Sequence, residues 1–239
     1  MMERLSSEID KKLSERLNLV NYNIEVAARK SGRNFADITL VCATKTVDTD
    51  IINRVIDFGV KNIGENRVQE LLRKYDGINK ETCNIHFIGH LQTNKVKDIV
   101  GKVRMIQSVD SLGLANMMSK FSQKKDVLTD VLIEVNIGND KNKFGILTKG
   151  LQELIYNISK LKNIKVRGLM TIPPISKKPD DARFYFNNMY NLFIDIANKK
   201  IDNVSMDFLS MGMSQDYVSA IECGANMIRL GECIFGKRD

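Results

Sequence analysis

Apolar residues recur every three or four positions at Leu5, Ile9, Leu13, Leu17, Val20, Ile24 and Ala27. This spacing predicts an amphipathic helix running to Lys30, with Gly32 suited to its C-terminal cap. Beyond it the pattern changes to short apolar runs separated by longer segments of helical period. The runs predict strands at 38–43, 62–64, 85–90, 105–109, 131–136, 165–171, 206–211 and 227–231. Helical segments are predicted between them, at 48–59, 67–75, 111–121, 151–161 and 181–198. Eight strands alternating with helices imply parallel pairing through right-handed crossovers. No G-x-G-x-x-G follows the first strand, which favours a closed barrel over an open nucleotide-binding sheet. The expected fold is a single TIM-like (β/α)8 barrel over residues 1–239, with residues 1–32 forming an extra helix packed on it. A length of 239 residues suits that architecture.

Composition changes this picture little. Hydrophobic residues make up 43% and charged residues 27%, enough to build an ordinary core. The net charge of +7 raises the question of nucleic acid, but the strongest basic runs are the pairs Lys124-Lys125, Lys177-Lys178 and Lys199-Lys200. Without interleaved aromatics they read as solvated surface. Cys42, Cys83, Cys223 and Cys233 form no C-x-x-C pair and have no histidine cluster nearby, so neither a disulfide framework nor a metal site is expected. Reduced thiols point to the cytoplasm. No stretch has the length of a membrane span or the shape of a signal peptide.

Alternate side chains of a barrel strand face the lumen, and most are branched and apolar. Two positions break that rule. Val41, Ala43 and Lys45 share one parity, which puts Lys45 at the C-terminal end of the first strand. Either it is a loop lysine with a solvated head group, or it is an amine sheltered in the mouth and available to a carbonyl. In the last strand, Ile228 and Leu230 pack outward and Arg229 faces the lumen. A buried guanidinium there requires a carboxylate or a bound ligand.

Barrel phosphate sites are commonly built after strands seven and eight. Here those ends read Ser210-Met211-Gly212-Met213-Ser214 and Gly231-Glu232. Backbone N–H groups near Gly212 and Gly231 could meet an anion, and the Ser210 hydroxyl shares their inward parity. Ser214 reads as the N-cap of a helix from Gln215 onward. Asn66 follows the second strand, where its amide could reach a polar substituent. His86 and His90 are the only histidines; His86, inside a strand, is expected to be hydrogen-bonded and structural. No hydrolase triad or P-loop is present. The proline-bearing stretch from Ile172 to Pro179 is expected at the barrel mouth.

His86-Phe87-Ile88-Gly89-His90-Leu91-Gln92-Thr93-Asn94-Lys95 resembles a signature of the pyridoxal phosphate homeostasis proteins. These are similar in fold to the N-terminal barrel of alanine racemase. Gly64-Glu65-Asn66, Gly168-Leu169-Met170-Thr171, Ser210-Met211-Gly212-Met213-Ser214 and Arg229-Leu230-Gly231 match in the same order. The resemblance implies pyridoxal 5′-phosphate (PLP) held as a Schiff base on Lys45, with Arg229 at the pyridine nitrogen and Asn66 near the ring. It also implies Ser210 and the backbone at Gly231 and Glu232 on the phosphate. The expected cofactor-binding set is Lys45, Asn66, Ser210, Gly212, Arg229, Gly231 and Glu232. Many relatives carry Ser or Thr where this chain has Glu232, so that side chain is expected to turn away from phosphate.

An arginine partner leaves the ring nitrogen unprotonated, which makes a poor electron sink. In alanine racemase a second domain and a dimer partner supply an opposing tyrosine base, and none is expected here. The implied role is a monomeric carrier or buffer that passes PLP to apo-enzymes and catalyses little. A racemase or lyase of narrow specificity is the alternative, and a cofactor-free barrel aldolase and a nucleic-acid-binding protein are the remaining ones.

Overall fold

The computed structural model describes residues 2–174 and 179–236, and side chains for 6–174 and 182–236. Helix α1 (Met2–Lys30) leads into β1 (Thr39–Ala43), α2 (Thr49–Asp57), β2 (Asn62–Glu65), α3 (Val68–Lys74) and β3 (Asn84–Phe87). There follow α4 (Val96–Ile99), β4 (Met105–Val109), α5 (Leu112–Lys124), β5 (Thr129–Asn136), β6 (Ile146–Leu147), α6 (Thr148–Ser159) and β7 (Ile164–Met170). The chain closes with α7 (Pro179–Asn198), β8 (Val204–Ser210), α8 (Tyr217–Glu222), β9 (Met227–Leu230) and α9 (Glu232–Phe235). Every expected strand is present. The two-residue β6 and the short α4 and α9 lack a repeat long enough to register in the sequence.

Eight strands close into a parallel barrel in the order β1, β2, β3, β4, β5, β7, β8, β9 and back to β1; β6 pairs only on the outer side of β5. Alternation along the strands divides the apolar residues into two layers. The larger lies between sheet and helices and includes Ile63, Phe87, Ile106, Ile133, Leu209 and Ile228. The smaller fills the lumen: Val41, Ile88, Met105, Leu132, Met170 and Met227. At the N-terminal end of the lumen, Arg167 bonds Asp130 at 2.9 Å and Asp207 at 2.5 Å.

Helix α1 buries Leu13, Leu17, Val20, Ile24, Ala27 and Ala28, the stripe its spacing predicts. Gly32 ends it at φ +72° as expected, with the Arg33 N–H returning to the Ala28 carbonyl. Arg33 and Asn23 tie this helix to the β9 side of the barrel through the Ala225 carbonyl and the Tyr217 hydroxyl. The four thiols are unpaired, and burial raises the pKa of each. Among the described residues no helix is long and apolar enough to cross a membrane, and no cluster of His, Cys, Asp or Glu suits a metal. Of the proline-bearing stretch, Pro173 and Pro174 lie over the β5–β6 loop, at Lys143 and Gly138. Residues 175–178, including Lys177-Lys178, lie outside the described residues.

Gly168 sits at a shift in the β7–β8 register with φ +147°, and a Cβ there would lie 1.8 Å from the Phe208 carbonyl oxygen. A Gly168→Ala substitution is therefore expected to destabilise the fold by about 2–4 kcal/mol. A denaturant midpoint measured against the parent protein checks this.

Candidate functional site

The site follows from strand register. β1 aligns Val41 with Arg229 of β9 and Ala43 with Gly64 of β2. Two residues beyond Ala43, Lys45 therefore leaves the sheet between Asn66 on one side and the Gly231–Cys233 turn on the other. Parity places Arg229 inside the barrel, as the sequence predicted, and it is 5% exposed.

A directed chain of hydrogen bonds holds that guanidinium. Arg229 Nη1 donates to Ser210 Oγ at 2.6 Å, and Nη2 donates to the Thr171 carbonyl at 2.9 Å. Ser210 Oγ in turn donates to Gln107 Oε1 at 2.7 Å. The Gln107 amide lies 3.0 Å from His86 Nδ1, and His86 Nε2 lies 3.3 Å from Asn62 Oδ1. An amide nitrogen only donates, so His86 accepts at Nδ1 and carries its proton on Nε2. Its position is hydrogen-bonded and buried, as expected, and burial lowers its pKa to about 4, keeping it neutral. The chain thus crosses the lumen from the first residue of β2 to the mouth. Sequence reading missed Gln107, although it breaks the apolar lumen pattern in β4 as Arg229 does in β9.

In this network Ser210 Oγ donates to Gln107 Oε1 and accepts from Arg229 Nη1. The expected N-cap role of Ser214 is revised. Helix α8 begins at Tyr217 behind Asp216, whose Oδ1 accepts the Met213 N–H. The Ser214 hydroxyl oxygen instead faces the backbone N–H groups of Gly231 and Cys233, at 3.4 and 3.3 Å. These long contacts hold two donors weakly, in the turn where an anion site was expected. Gly212 has φ +94°, and a Cβ there would lie 2.6 Å from Ala220 Cβ. Gly231 is partly exposed, and Glu232 is exposed, in line with a side chain turned outward.

Asn66 contributes an Oδ1 that is buried without a hydrogen-bond partner among the described residues. Its backbone packs against Gly89 of the His86–Lys95 motif, where a Cβ would lie 2.1 Å from the Asn66 carbonyl oxygen.

Lys45 is exposed, which departs from the sheltered amine expected. Its backbone, by contrast, is tightly held. The Val47 N–H closes a turn onto the Thr44 carbonyl at 3.0 Å. Thr46 adopts φ +59°, a conformation that costs a residue with a Cβ about 1–2 kcal/mol. Behind the turn, on the outer face of the sheet, lies the buried amine of Lys74 from α3. It donates to Thr44 O (2.8 Å), Glu65 Oε1 (2.9 Å) and Glu70 Oε1 (2.7 Å). Thr44 Oγ1 donates to Glu65 Oε1 at 2.6 Å, and the Thr46 N–H donates to Glu70 Oε1. No sequence signal marked this group, because Lys74 reads as an ordinary helix-surface lysine.

One more lumenal carboxyl was missed. Glu134 lies two residues beyond lumenal Leu132 and aligns with Met170. Burial raises its pKa to about 7, with Asp110 adding to the shift and Arg229 opposing it. Arg229 itself is lowered to about 10 by burial and stays cationic at neutral pH.

With this geometry in place, comparison with known proteins is informative. Residues 17–239 match the family described as alanine racemase, N-terminal domain. A pyridoxal phosphate homeostasis protein of Aquifex aeolicus is 43% identical over 224 residues, covering 94% of this chain and 97% of that relative. An unknown protein from Bifidobacterium adolescentis superposes with a TM-score of 0.91 at 30% identity, covering 95% and 96% of the two chains. PipY of Synechococcus elongatus, solved with PLP bound, has the same fold at 24% identity, with a TM-score of 0.81 and coverage of 94% and 100%.

His86 and Glu134 give opposite pH dependences of stability. Glu134, raised from 4.5 to about 7, contributes stability that is present below pH 4.5 and lost as pH rises through 7. His86, lowered from 6.5 to about 4, contributes stability that is present above pH 6.5 and lost as pH falls through 4. Each slope amounts to roughly 3 kcal/mol across its window, and the two nearly cancel. Glu134→Gln should expose a fall in stability towards acid, and His86→Gln a fall from pH 5 to 7, as read by urea unfolding across that range.

Proposed function

The chain belongs to the pyridoxal phosphate homeostasis protein family, and on that premise we propose that it binds PLP as an intracellular carrier or buffer, attached at the Lys45 amine and with little turnover of its own. One observation carries this reading. Among the described residues the buried Arg229 guanidinium hydrogen-bonds neutral groups, the Ser210 hydroxyl and the Thr171 carbonyl, while the carboxyls of Glu134 and Asp216 act on it through their charge alone. It has five N–H donors, so it retains capacity for a ligand that accepts hydrogen bonds.

The other residues fit the same ligand. When bound, PLP supplies an aldehyde with a neighbouring phenolic oxygen, a ring nitrogen across the ring from the aldehyde, and a phosphate. Lys45 provides the amine that meets the aldehyde, and its exposure suits attachment and exchange with a second amine. Arg229 orients the ring nitrogen and holds its own proton there, since even at a lowered pKa it remains protonated. The unpartnered Asn66 Oδ1 suits a ring hydroxyl. The Ser210 hydroxyl, with the Gly231 and Cys233 N–H groups beside the Gly212 turn, would hold the phosphate, and Ser210 also accepts a hydrogen bond from Arg229. All these groups come from one chain, so binding needs no second subunit. The receivers implied by a carrier are apo-enzymes that use the same cofactor.

A racemase or lyase of narrow specificity is the second reading, and Glu134 is the observation in its favour. It is a buried carboxyl, raised to about 7, on the lumenal face of β5.

The absorption spectrum of freshly purified protein tests the first reading. A visible band is expected, fixed by borohydride as added mass on the peptide containing Lys45 and missing from Lys45→Ala. Robust turnover of a free amino acid, abolished in Lys45→Ala, would establish the second. Arg229→Ala is expected to keep the attachment but to weaken cofactor retention about tenfold or more, as measured by release during dialysis.

A further inference from the structure

We propose that Lys74 and Glu70 of α3, together with buried Glu65, are positioning residues for Lys45: they grip the two residues flanking it and fix where its amine enters the mouth. This rests on the reading that Lys45 is the attachment point.

The contacts are specific to the Lys45 turn. The Lys74 ammonium has three donors, and one of them goes to the Thr44 carbonyl rather than to a carboxylate. That carbonyl also receives the Val47 N–H, so one oxygen joins the turn closure to the ion cluster. On the other side of Lys45, Glu70 accepts the Thr46 N–H. Thr46 is β-branched yet lies in the left-handed region, which demands an external restraint. Glu70 supplies that restraint. Glu65 is fully buried and receives both Lys74 and the Thr44 hydroxyl, so the grip includes the side chain of Thr44, the residue that follows β1.

Packing α3 onto the barrel does not require this arrangement. Val68 and Leu71 of the same helix already bury apolar surface against the sheet. Burying a lysine with two carboxylates is also a poor source of stability, since desolvation offsets much of the attraction. The arrangement acts on geometry. An amine displaced by about an ångström reacts far more slowly with a fixed carbonyl. Lys45 is exposed, and these contacts act on the backbone from which its side chain projects.

The test compares Glu70→Ala, Glu70→Gln, Lys74→Met and Leu71→Ala in the full-length protein stripped of cofactor. Leu71→Ala removes helix packing without touching the turn, and Glu70→Gln keeps an acceptor for the Thr46 N–H. Two quantities are read: hydrogen exchange of the Thr46 amide without cofactor, and the rate at which added PLP becomes borohydride-fixed on Lys45. Glu70→Ala and Lys74→Met are expected to slow fixation about tenfold or more, with Glu70→Gln and Leu71→Ala staying within roughly twofold of the parent. Thr46 exchange should rise in Glu70→Ala and stay low in Glu70→Gln. Parent-like fixation in both Glu70→Ala and Lys74→Met, or equal slowing by Leu71→Ala, overturns the proposal. If the parent itself fixes no PLP on Lys45, the attachment reading fails and this proposal fails with it. Full-speed fixation in the variants defeats the positioning role alone.

Discussion

A guanidinium inside a closed parallel barrel is the constraint around which the lumen is arranged. Arg229 is 5% exposed there, so its hydrogen bonds come largely from protein, and the strands offer inward-facing side chains and the carbonyls at their ends. Ser210 answers from the neighbouring strand, and its proton must then go elsewhere. Gln107 takes it, which turns the amide nitrogen towards His86, and His86 is left neutral with its own proton on Asn62. Each member fixes the orientation of the next. The chain ends in a cation bonded to the Ser210 hydroxyl and the Thr171 carbonyl.

A second polar system lies on the other side of the sheet. The Glu65–Lys74–Glu70 cluster is buried between β2 and α3 and contacts the chain on both sides of Lys45. The first system sets the inner wall of the site; the second sets the stem of its amine. Three groups near Lys45 are poorly satisfied: the side-chain Oδ1 of Asn66, which is buried without a partner as are Glu65 Oε2 and Ser108 Oγ among the described residues, and the Gly231 and Cys233 amides with their long contacts to Ser214. Buried polar groups without good partners are uncommon in a folded chain, and those at the mouth suit a small anionic, hydrogen-bonding molecule.

This division also bears on chemistry. On the proposed reading, a ring nitrogen facing a permanent cation would withdraw fewer electrons than one facing a carboxylic acid, which is the physical ground for proposing a holder of PLP over an enzyme that transforms it. Glu134 tempers that contrast, because a carboxyl near neutrality is able to take up a proton within the same lumen. Retention by Arg229 and exposure of Lys45 together suit a molecule that keeps an aldehyde in place yet lets another amine approach it.

Much of this was legible in the sequence. The eight strands announced themselves as short apolar runs between helical periods, and parity alone turned Arg229 inward, since Ile228 and Leu230 on either side had to pack against helices. Local order likewise set Gly32 as a helix terminator and placed Lys45 and Asn66 at strand ends. What the linear chain could not decide was which distant polar groups would meet. Gln107 and Ser210 are 103 positions apart, and Lys74 reaches back 30 positions to the Thr44 carbonyl. That Ser210 meets Gln107 and Arg229, and that Ser214 faces two backbone amides and does not cap a helix, depended on those meetings. Hydrophobic periodicity is a local property that survives in one dimension. Hydrogen-bond partnership inside a closed barrel is a competition among all inward-facing groups, and only the folded register determines its outcome.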